Sequence, residues 1–355
     1  MMKRKLIRGA LIHCAVLLVL AAACLIARPA LARTQQSQRE AERFAGESGQ
    51  RFMQFTCFFT RDNLKNLEGI YELRQKYQEA FASADLETPE GGSLFNDAWS
   101  TTGSLKIYSE HGNATTSVVA VGGNFFDFHP LPLRSGSYLR QEDLNKDRVV
   151  LDEILAWMLF GSPDVAGMEV TINERPYIIA GVVVREDDKA SQKFAADGPM
   201  LYIPFESWLS MHSSAGVDCY EVVLAEPVNG FTQTVLEQNF PVGNGVLQQN
   251  TERYTLGASV QMMKAFGTRG ARESAAILPY WENAARYVED WCTLLAFLAL
   301  LLLIFPAVCA LIAFVWGWIL ARKVLKKQLP RLFRKTGDFF YALSSRLRRR
   351  KDSKD

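Results

Sequence analysis

Few side chains in this sequence have the identity and spacing that catalysis or metal binding requires. Glu186, Asp187 and Asp188 place three carboxylates in a row that could attract a cation, but a solvated loop after a strand is the simpler interpretation. The histidines are far apart in sequence, and none has the spacing of a metal ligand. They are His13, His111, His129 and His212. The sequence therefore predicts no catalytic, cofactor-binding or metal-binding residue.

The sequence also lacks the motifs of nucleotide-binding sites. The 355 residues contain no G-x-x-x-x-G-K-[ST] loop, whose backbone would cradle phosphates, and no G-x-G-x-x-G, H-E-x-x-H or C-x-x-C. We therefore expect that the chain neither binds nor hydrolyses ATP and is not an enzyme. An enzyme on the outer surface, anchored by two membrane spans, is an alternative. The sequence contains no set of catalytic residues that would support it.

The charge is divided along the chain in a way that favours a membrane. The first eight residues carry +4, residues 322–355 carry +10, and the residues between them carry −12, although the whole chain carries only +2. Basic flanks next to apolar segments mark the cytoplasmic side of a bilayer. We therefore predict a two-pass cell-membrane protein with both termini in the cytoplasm and residues 33–290 outside.

Two segments meet the requirement of about 20 apolar residues for a membrane span. They are Leu6–Ala27 and Trp291–Leu320, the second flanked by aromatic residues typical of membrane interfaces. The first segment has a competing interpretation, because its basic start and Ala30-Leu31-Ala32 also fit a cleavable secretory signal. Either interpretation leaves residues 33–290 outside.

The outer segment alternates strands and helices, which predicts an α+β domain. Arg51–Thr60 reads as a strand, Asp62 as a possible helix N-cap, and Leu64–Phe81 as an amphipathic helix. A second strand–helix unit covers residues 218–238, and two predicted hairpins lie between the units, the second turning at Glu174-Arg175-Pro176. We predict two lobes: a membrane-proximal lobe of residues 45–105 and 216–290, split in sequence, and an inserted β-rich lobe of residues 106–215.

Two cysteines lie outside the predicted spans. Cys57 and Cys219 each fall in the strand that opens one strand–helix unit, and such strands are often neighbours in a split lobe. A disulfide between them and a pair of buried thiols are both compatible with the sequence.

An ordered series of motifs in residues 118–208 resembles a known family. The series begins with VVAVGGNFFDF and continues with Leu133 and Gly136. It then contains DRVVLDEILAWMLFG, followed by GMEVTINERPYIIAGVVV. This order is similar to that of the extracytoplasmic core domain of MacB/FtsX-type ABC transporter permeases, where V-V-L-x-x-x-x-A-x-x-L-F-G is read as a helix. Gly136, Gly161 and Gly167 fall at turns where a positive φ is expected. The family usually has three further spans after this domain and often an Arg after the first glycine, where this chain has Ser137.

The resemblance implies a function in transport. The leading hypothesis is a truncated or accessory permease subunit that couples its outer domain to a separate cytoplasmic ATPase through partner chains, for export or mechanical signalling. The alternative is a stand-alone membrane sensor or scaffold without transport activity. We expect an ABC ATPase, fuller permease chains and membrane lipids as partners, no nucleic acid, and an oligomeric or heteromeric complex. The basic tail, residues 321–355, offers Arg322, Lys323, Lys326 and Lys327 to an acidic partner or to lipid.

Overall fold

The computed structural model describes residues 2–60, 64–88, 92–195, 197–240, 245–264, 276 and 278–351, with side chains described from residue 5 to residue 326. The chain divides into two compact units. One comprises residues 1–25 and 297–355, and the other comprises residues 26–296. The helices are α1 Met2–Ala32, α2 Glu40–Ala45, α3 Leu67–Ser83, α4 Phe125–Phe128, α5 Glu153–Phe160, α6 Lys189–Phe194, α7 Phe205–Met211, α8 Phe231–Asn239, α9 Leu256–Lys264 and α10 Tyr280–Lys351.

Two of these helices are long and apolar enough to cross a membrane. The candidate spans are Lys5–Ala32 in α1 and Tyr280–Lys326 in α10. The two helices contact each other, because the ring of His13 meets the ring of Phe305 edge-on at 5.2 Å between centroids. Helix α10 continues through Pro306 without a break. The residues from Tyr280 that precede the second apolar segment thus belong to the same helix as that segment.

Within the described residues, ten strands form a single sheet. They are β1 Phe52–Phe59, β2 Phe95–Ser109, β3 Gly112–Gly123, β4 Leu133–Gly136, β5 Arg148–Asp152, β6 Glu169–Ile172, β7 Arg175–Val183, β8 Met200–Pro204, β9 Cys219–Ala225 and β10 Gly245–Gln249. The order is β10-β1-β9-β2-β3-β8-β5-β7-β4, and β6 pairs with β2 and β7. The mixed α and β architecture between two apolar helices confirms the predicted fold class.

The sheet runs through both halves of the predicted two-lobed arrangement. Strand β2 pairs with β9 through Phe95–Ser100 and with β6 through Ile107 and Tyr108. Strand β3 pairs with β2 along most of the length of β2. Strands β10, β1, β9 and the start of β2 belong to the split segment, and the rest to the insertion. The lobe boundaries stay a prediction. Strand β2 crosses the predicted boundary between residues 105 and 106 and therefore belongs to both predicted lobes.

The two strand–helix units are neighbours, as the sequence predicts. Strands β1 and β9 pair antiparallel, with Cys57 opposite Tyr220 and Phe58 opposite Cys219. Residues directly opposite each other in a sheet share a face, and adjacent residues point to opposite faces. Cys57 and Cys219 therefore lie on opposite faces of the sheet, and both are free and buried. Of the two possibilities left by the sequence, the structure has the two buried thiols.

Helix α3 packs on the sheet through the periodic residues that predict it. Ile70, Leu73, Tyr77 and Phe81 recur every three or four positions and are all buried. Its N-cap is Asn66, whose side-chain oxygen accepts a hydrogen bond from the Gly69 amide at 2.9 Å. The predicted cap at Asp62 lies outside the described residues.

Two local expectations from the sequence are wrong. Val149–Leu151 belong to strand β5 and not to a helix, because these fully buried residues pair with β7 and β8 in the interior of the sheet. Helix α5 begins only after Asp152, whose carboxylate accepts from the Leu155 amide at 2.8 Å. The second hairpin turns at Asn173 and Glu174, with φ values of 48° and 65°, and not at residues 174–176. Two successive residues with positive φ are typical of the tight turn that suits twisted strands.

Candidate functional site

A buried arginine joins three segments of the unit formed by residues 26–296. Arg253, which follows β10, donates through Nη1 and Nη2 to the two carboxylate oxygens of Glu282 at 2.8 and 2.9 Å. Its Nε donates to Glu289 Oε2 at 2.9 Å, and Nη1 also donates to Gln38 Oε1 at 3.1 Å. Together with Arg286, these residues form what we call the Arg253 cluster. It connects the segment after α1, the segment after the sheet edge and the first turns of α10.

The helix periodicity of α10 presents the charges of the cluster on one face. Glu282, Arg286 and Glu289 occur at positions i, i+4 and i+7, which lie on the same side of an α-helix. Arg286 Nε donates to Glu282 Oε1 at 2.7 Å, so the Glu282 carboxylate is held by two arginines. The start of α10 is therefore fixed to the domain by ionic contacts as well as by apolar packing.

A second buried arginine attaches the end of α1. Arg28 donates through Nε to the Cys292 carbonyl at 3.0 Å and through Nη2 to Ser259 Oγ at 2.7 Å. The same Nη2 lies 3.2 and 3.1 Å from the carbonyl oxygens of Tyr254 and Thr255. The end of α1 is thus joined to α10 and to the beginning of α9.

The electrostatics of the Arg253 cluster favour its charged state. Burial alone would lower the pKa of the Arg253 guanidinium, but the carboxylates of Glu282 and Glu289 raise it well above the ordinary value. A guanidinium without partners in this place would be costly, because burying an ion costs several kcal/mol unless opposite charges and hydrogen bonds compensate. The cluster is stable only when its three segments are together, and this makes it suited to holding them in one arrangement.

The segment between α1 and β1 is fixed to the sheet by polar contacts around Glu40. The Glu40 backbone amide donates to Gln54 Oε1 at 2.9 Å, and its carboxylate accepts from Arg43 at 2.9 Å and from Asn96 Nδ2 at 3.2 Å. Burial raises the pKa of the Glu40 carboxyl to about 7, against the opposing effect of Arg43 and with a further increase from Asp127. This carboxyl changes its charge near neutral pH.

The acidic run singled out in the sequence is only partly a solvated loop. Asp187 is exposed, but Glu186 accepts a hydrogen bond from the Tyr280 hydroxyl at 3.1 Å. Asp188 Oδ1 accepts from Gln35 Nε2 at 3.0 Å and from the backbone amides that begin α6. Among the residues that the structure describes, no group of three or more His, Cys, Asp or Glu is arranged to hold a metal ion.

The histidines differ in their surroundings. His129 is buried, and its Nε2 lies 2.7 Å from Glu221 Oε2 in strand β9, which has a partner strand on each side. His13 contacts Phe305, His111 lies edge-on to Phe160, and His212 stacks on Trp208.

In the basic segment after the second apolar stretch, the side chains of Arg322, Lys323 and Lys326 are exposed, whereas the side chain of Lys327 lies outside the described residues.

Comparison with known proteins agrees with the motifs. The family model described as the MacB-like periplasmic core domain matches residues 59–240, which is more than half of the chain. The chain belongs to this family. The matched range extends beyond the motif region at 118–208: it begins at the end of β1 and includes α3, β9 and α8. With two candidate membrane helices flanking a MacB-like domain, the chain is a membrane protein.

Individual relatives of the MacB-like domain are distant. The macrolide export ATP-binding/permease protein MacB of Aggregatibacter actinomycetemcomitans is 25% identical over 179 residues, covering 49% of this chain and 27% of that protein. The protein of the same name from Neisseria gonorrhoeae is 27% identical over 141 residues, covering 39% of this chain and 19% of that protein. The chain thus spans about a quarter or less of these curated relatives. The crystal structure of the periplasmic region of MacB from Actinobacillus actinomycetemcomitans aligns with 61% of this chain and 94% of that chain, at 17% identity and a TM-score of 0.41.

The glycines of the MacB-like motifs adopt the conformation that their positions predict. Gly136, Gly161 and Gly167 have φ values of 73°, 68° and 88°. At Gly136 the backbone of β7 also approaches closely, since an added Cβ would lie 2.1 Å from the Ala180 carbonyl oxygen. This glycine is required by both its conformation and its surroundings, whereas a Cβ at Gly161 would meet open space.

The Arg253 cluster and the contacts of Arg28 have no counterpart among the predictions from the sequence. The partners of Arg253 come from positions 38, 282 and 289, far apart in the chain, and none belongs to a recognisable motif. One signal was available in the sequence. The charges at Glu282, Arg286 and Glu289 share a helix face immediately before an uncharged apolar segment, and a charged face in that place suggests a partner on the domain.

Proposed function

We propose that the chain is a permease-type membrane subunit of an ABC transporter system, which couples an extracytoplasmic MacB-like domain to a separate cytoplasmic ATPase for export or mechanical signalling. Its family supports this, as does the fact that the curated relatives are named as ATP-binding/permease proteins. The observation that carries the proposal is the Arg253 cluster. It fixes the beginning of α10, the helix that contains the second apolar segment, to the segments next to the sheet edge and after α1.

Coupling follows from how the domain is attached. A change of position of the domain has to be passed to α10 through contacts that do not break, and a bidentate arginine–carboxylate pair supplies both energy and fixed geometry. Arg28 gives the end of α1 a corresponding attachment. Each of the two apolar helices is therefore linked to the domain by an arginine that is buried in the protein. In this proposal the chain transmits movement and performs no catalysis of its own.

The proposed topology places both termini in the cytoplasm and residues 33–290 outside, in the domain arrangement 1–32, 33–290, 291–320 and 321–355. It is supported by the basic flanks of the two apolar segments. Labelling with a membrane-impermeant maleimide tests it. In intact cells, Ser213→Cys in an exposed loop should be labelled and Ser353→Cys only after permeabilisation. Labelling of Ser353→Cys from outside would contradict the topology.

The proposed partners are an ABC ATPase, fuller permease chains and membrane lipids, in an oligomeric or heteromeric assembly. Neither candidate span has an acidic residue within its apolar part, where charged side chains usually mark ion or substrate routes. Enclosing a polar path also takes more than two helices, because unsatisfied polar groups in hydrocarbon cost several kcal/mol each. The chain is therefore expected to work with partner helices.

Native mass spectrometry of gently solubilised membranes tests the assembly. The tagged chain should be recovered with an ATPase, and the charge reversals Arg322→Glu and Lys326→Glu should reduce that recovery. The matched control reverses two exposed cations of the outer domain, Lys106→Glu and Arg140→Glu, and should leave recovery unchanged. The highly purified chain alone should show no ATP turnover. A functional chain that is strictly monomeric, or recovery without any ATPase, would favour a stand-alone sensor or scaffold and contradict the proposal.

A further inference from the structure

A cavity of about 360 Å³ lies within the unit formed by residues 26–296, and its lining contains none of the residues of the Arg253 cluster. Four pieces of chain line it: the segment after α1, the loop after α4, the loop between β7 and α6, and the start of α10. The corresponding residues are Thr34–Ser37, His129–Pro132, Val184–Asp188 and Trp281, with Ser191. The volume falls within the range of small-molecule sites in proteins.

Three residues that line this cavity have a buried polar atom without a hydrogen-bond partner among the described residues. The atoms are His129 Nδ1, Trp281 Nε1 and Asp188 Oδ2. His129 and Trp281 are each only 3% exposed. The other ring nitrogen of His129 is already engaged by Glu221, so Nδ1 is the one left for another partner. Leaving a buried polar group unpaired costs about 1–3 kcal/mol, so three around one cavity call for a polar occupant.

The chemistry of the three atoms limits the occupant. An indole N–H can only donate a hydrogen bond, and an ionised carboxylate can only accept one. A single occupant that serves both Trp281 and Asp188 must therefore carry an acceptor as well as a donor. A neutral imidazole nitrogen can take either role, so His129 accommodates a hydroxyl group.

The charge of the lining favours a cation. Glu186, Asp187 and Asp188 contribute three carboxylates, and Arg185 is engaged with Asp152, to which its Nε donates at 2.7 Å. A metal ion fits less well than an organic cation, because Ca²⁺ requires six to eight oxygen ligands and no metal-binding group is formed by the described residues.

We propose that this cavity binds a small soluble primary amine that also bears a hydroxyl or carbonyl oxygen. Its ammonium group is held by Asp188 and the neighbouring carboxylates, and its oxygen accepts the Trp281 indole N–H. His129 Nδ1 contacts a second polar group of the same molecule. Because Trp281 belongs to the first turn of α10, binding also joins that helix to the two loops that line the cavity.

Calorimetry on the full-length chain in detergent tests the proposal with matched pairs of probes. Ethanolamine, serinol and glucosamine are compared with ethylene glycol, glycerol and glucose, in which a hydroxyl group replaces the amine. At least one amine should bind with a millimolar or lower Kd, and its neutral counterpart should bind at least tenfold more weakly. Absence of binding by all three amines, or equal binding of amine and neutral counterpart, would show that the cavity holds water only and overturn the proposal.

Two conservative variants locate the site. Trp281→Phe retains the aromatic ring and removes the N–H, and Asp188→Asn removes the charge but retains a good helix N-cap for α6. Each should weaken amine binding at least tenfold, whereas Trp157→Phe, a change at an exposed tryptophan on α5, should leave it unchanged. Thermal unfolding checks that all three variants fold. Amine binding that persists in both folded cavity variants at the strength of the parent would place the amine elsewhere and refute the assignment.

Discussion

Replacing Arg253 with methionine tests the idea that its cluster holds the domain to α10. Methionine has a similar length and no charge, so the change removes three charged hydrogen bonds to Glu282 and Glu289 and one to Gln38. Hydrogen bonds to charged groups contribute about 1.5–3 kcal/mol each, but they do not add when they share one network. Breaking a buried ion pair by removing one partner costs about 3–5 kcal/mol. Since Arg286 still contacts Glu282, we expect a loss of unfolding free energy near 3 kcal/mol.

The assay is thermal unfolding of the full chain in detergent, followed by tryptophan fluorescence. A loss of about 3 kcal/mol should lower Tm by roughly 6–12 °C in a domain of this size. Arg286→Met is the matched control, because it removes a single contact with Glu282 from a partly exposed position, and it should lower Tm by only a few degrees. Equal effects of the two changes, or a shift below about 2 °C for Arg253→Met, would refute the idea that Arg253 is the centre of the attachment.

The remaining predictions concern Glu40 in the segment between α1 and β1, the two buried cysteines of the sheet, and a glycine. Burial raises the pKa of Glu40 from 4.5 to about 7, so the folded state binds more protons than the unfolded state between these values. The contribution of Glu40 to the free energy of unfolding should therefore fall by about 3 kcal/mol as the pH rises through this window and stay level above it. Urea titrations should show this dependence, and Glu40→Gln should remove it. Cys57 and Cys219 point to opposite faces of the sheet, so a non-reducing digest should contain no disulfide-linked peptide that joins them, and such a peptide would contradict the register. Gly136→Ala should cost at least about 2 kcal/mol, because its φ is positive and its Cβ would overlap the β7 backbone, whereas Gly161→Ala, with the same sign of φ but open space, should cost about 1 kcal/mol in the same urea assay.

The fold was predictable where burial imposes a period on the sequence. Helix α3 shows one apolar residue every three or four positions, and the hairpin of β2 and β3 shows alternation, so both could be read from the residues alone. Strands β4 and β10, with the sequences LRSG and GVLQQ, have half-exposed or exposed residues and no such pattern. They lie at the two edges of the sheet, where the partner strand decides the conformation and the side chains contribute little.

The candidate site was less predictable because its residues meet only in the folded chain. The positions of Gln38, Arg253 and Glu289 carry no mutual signal in the sequence, and a single arginine after a strand is usually a surface residue. The cavity next to Trp281 was hidden for the same reason. The run Glu186–Asp188 was visible as a cluster of charge, but the aromatic wall and the buried histidine that complete the cavity come from distant elements.

Strand β2 has a consequence for any attempt to divide this domain. Its first six residues pair with β9 and its last residues with β6, while β3 pairs with it from Ala98 to Ser109. A fragment limited to residues 106–215 would keep only the last four residues of β2, so the Val118–Gly123 part of β3 would lose its pairing with β2 and keep a hydrogen-bonded neighbour, β8, on its other side only. That segment is rich in valine and would become an open, apolar edge, which promotes association between chains. The outer segment should therefore be expressed, exchanged between homologues and unfolded as one piece.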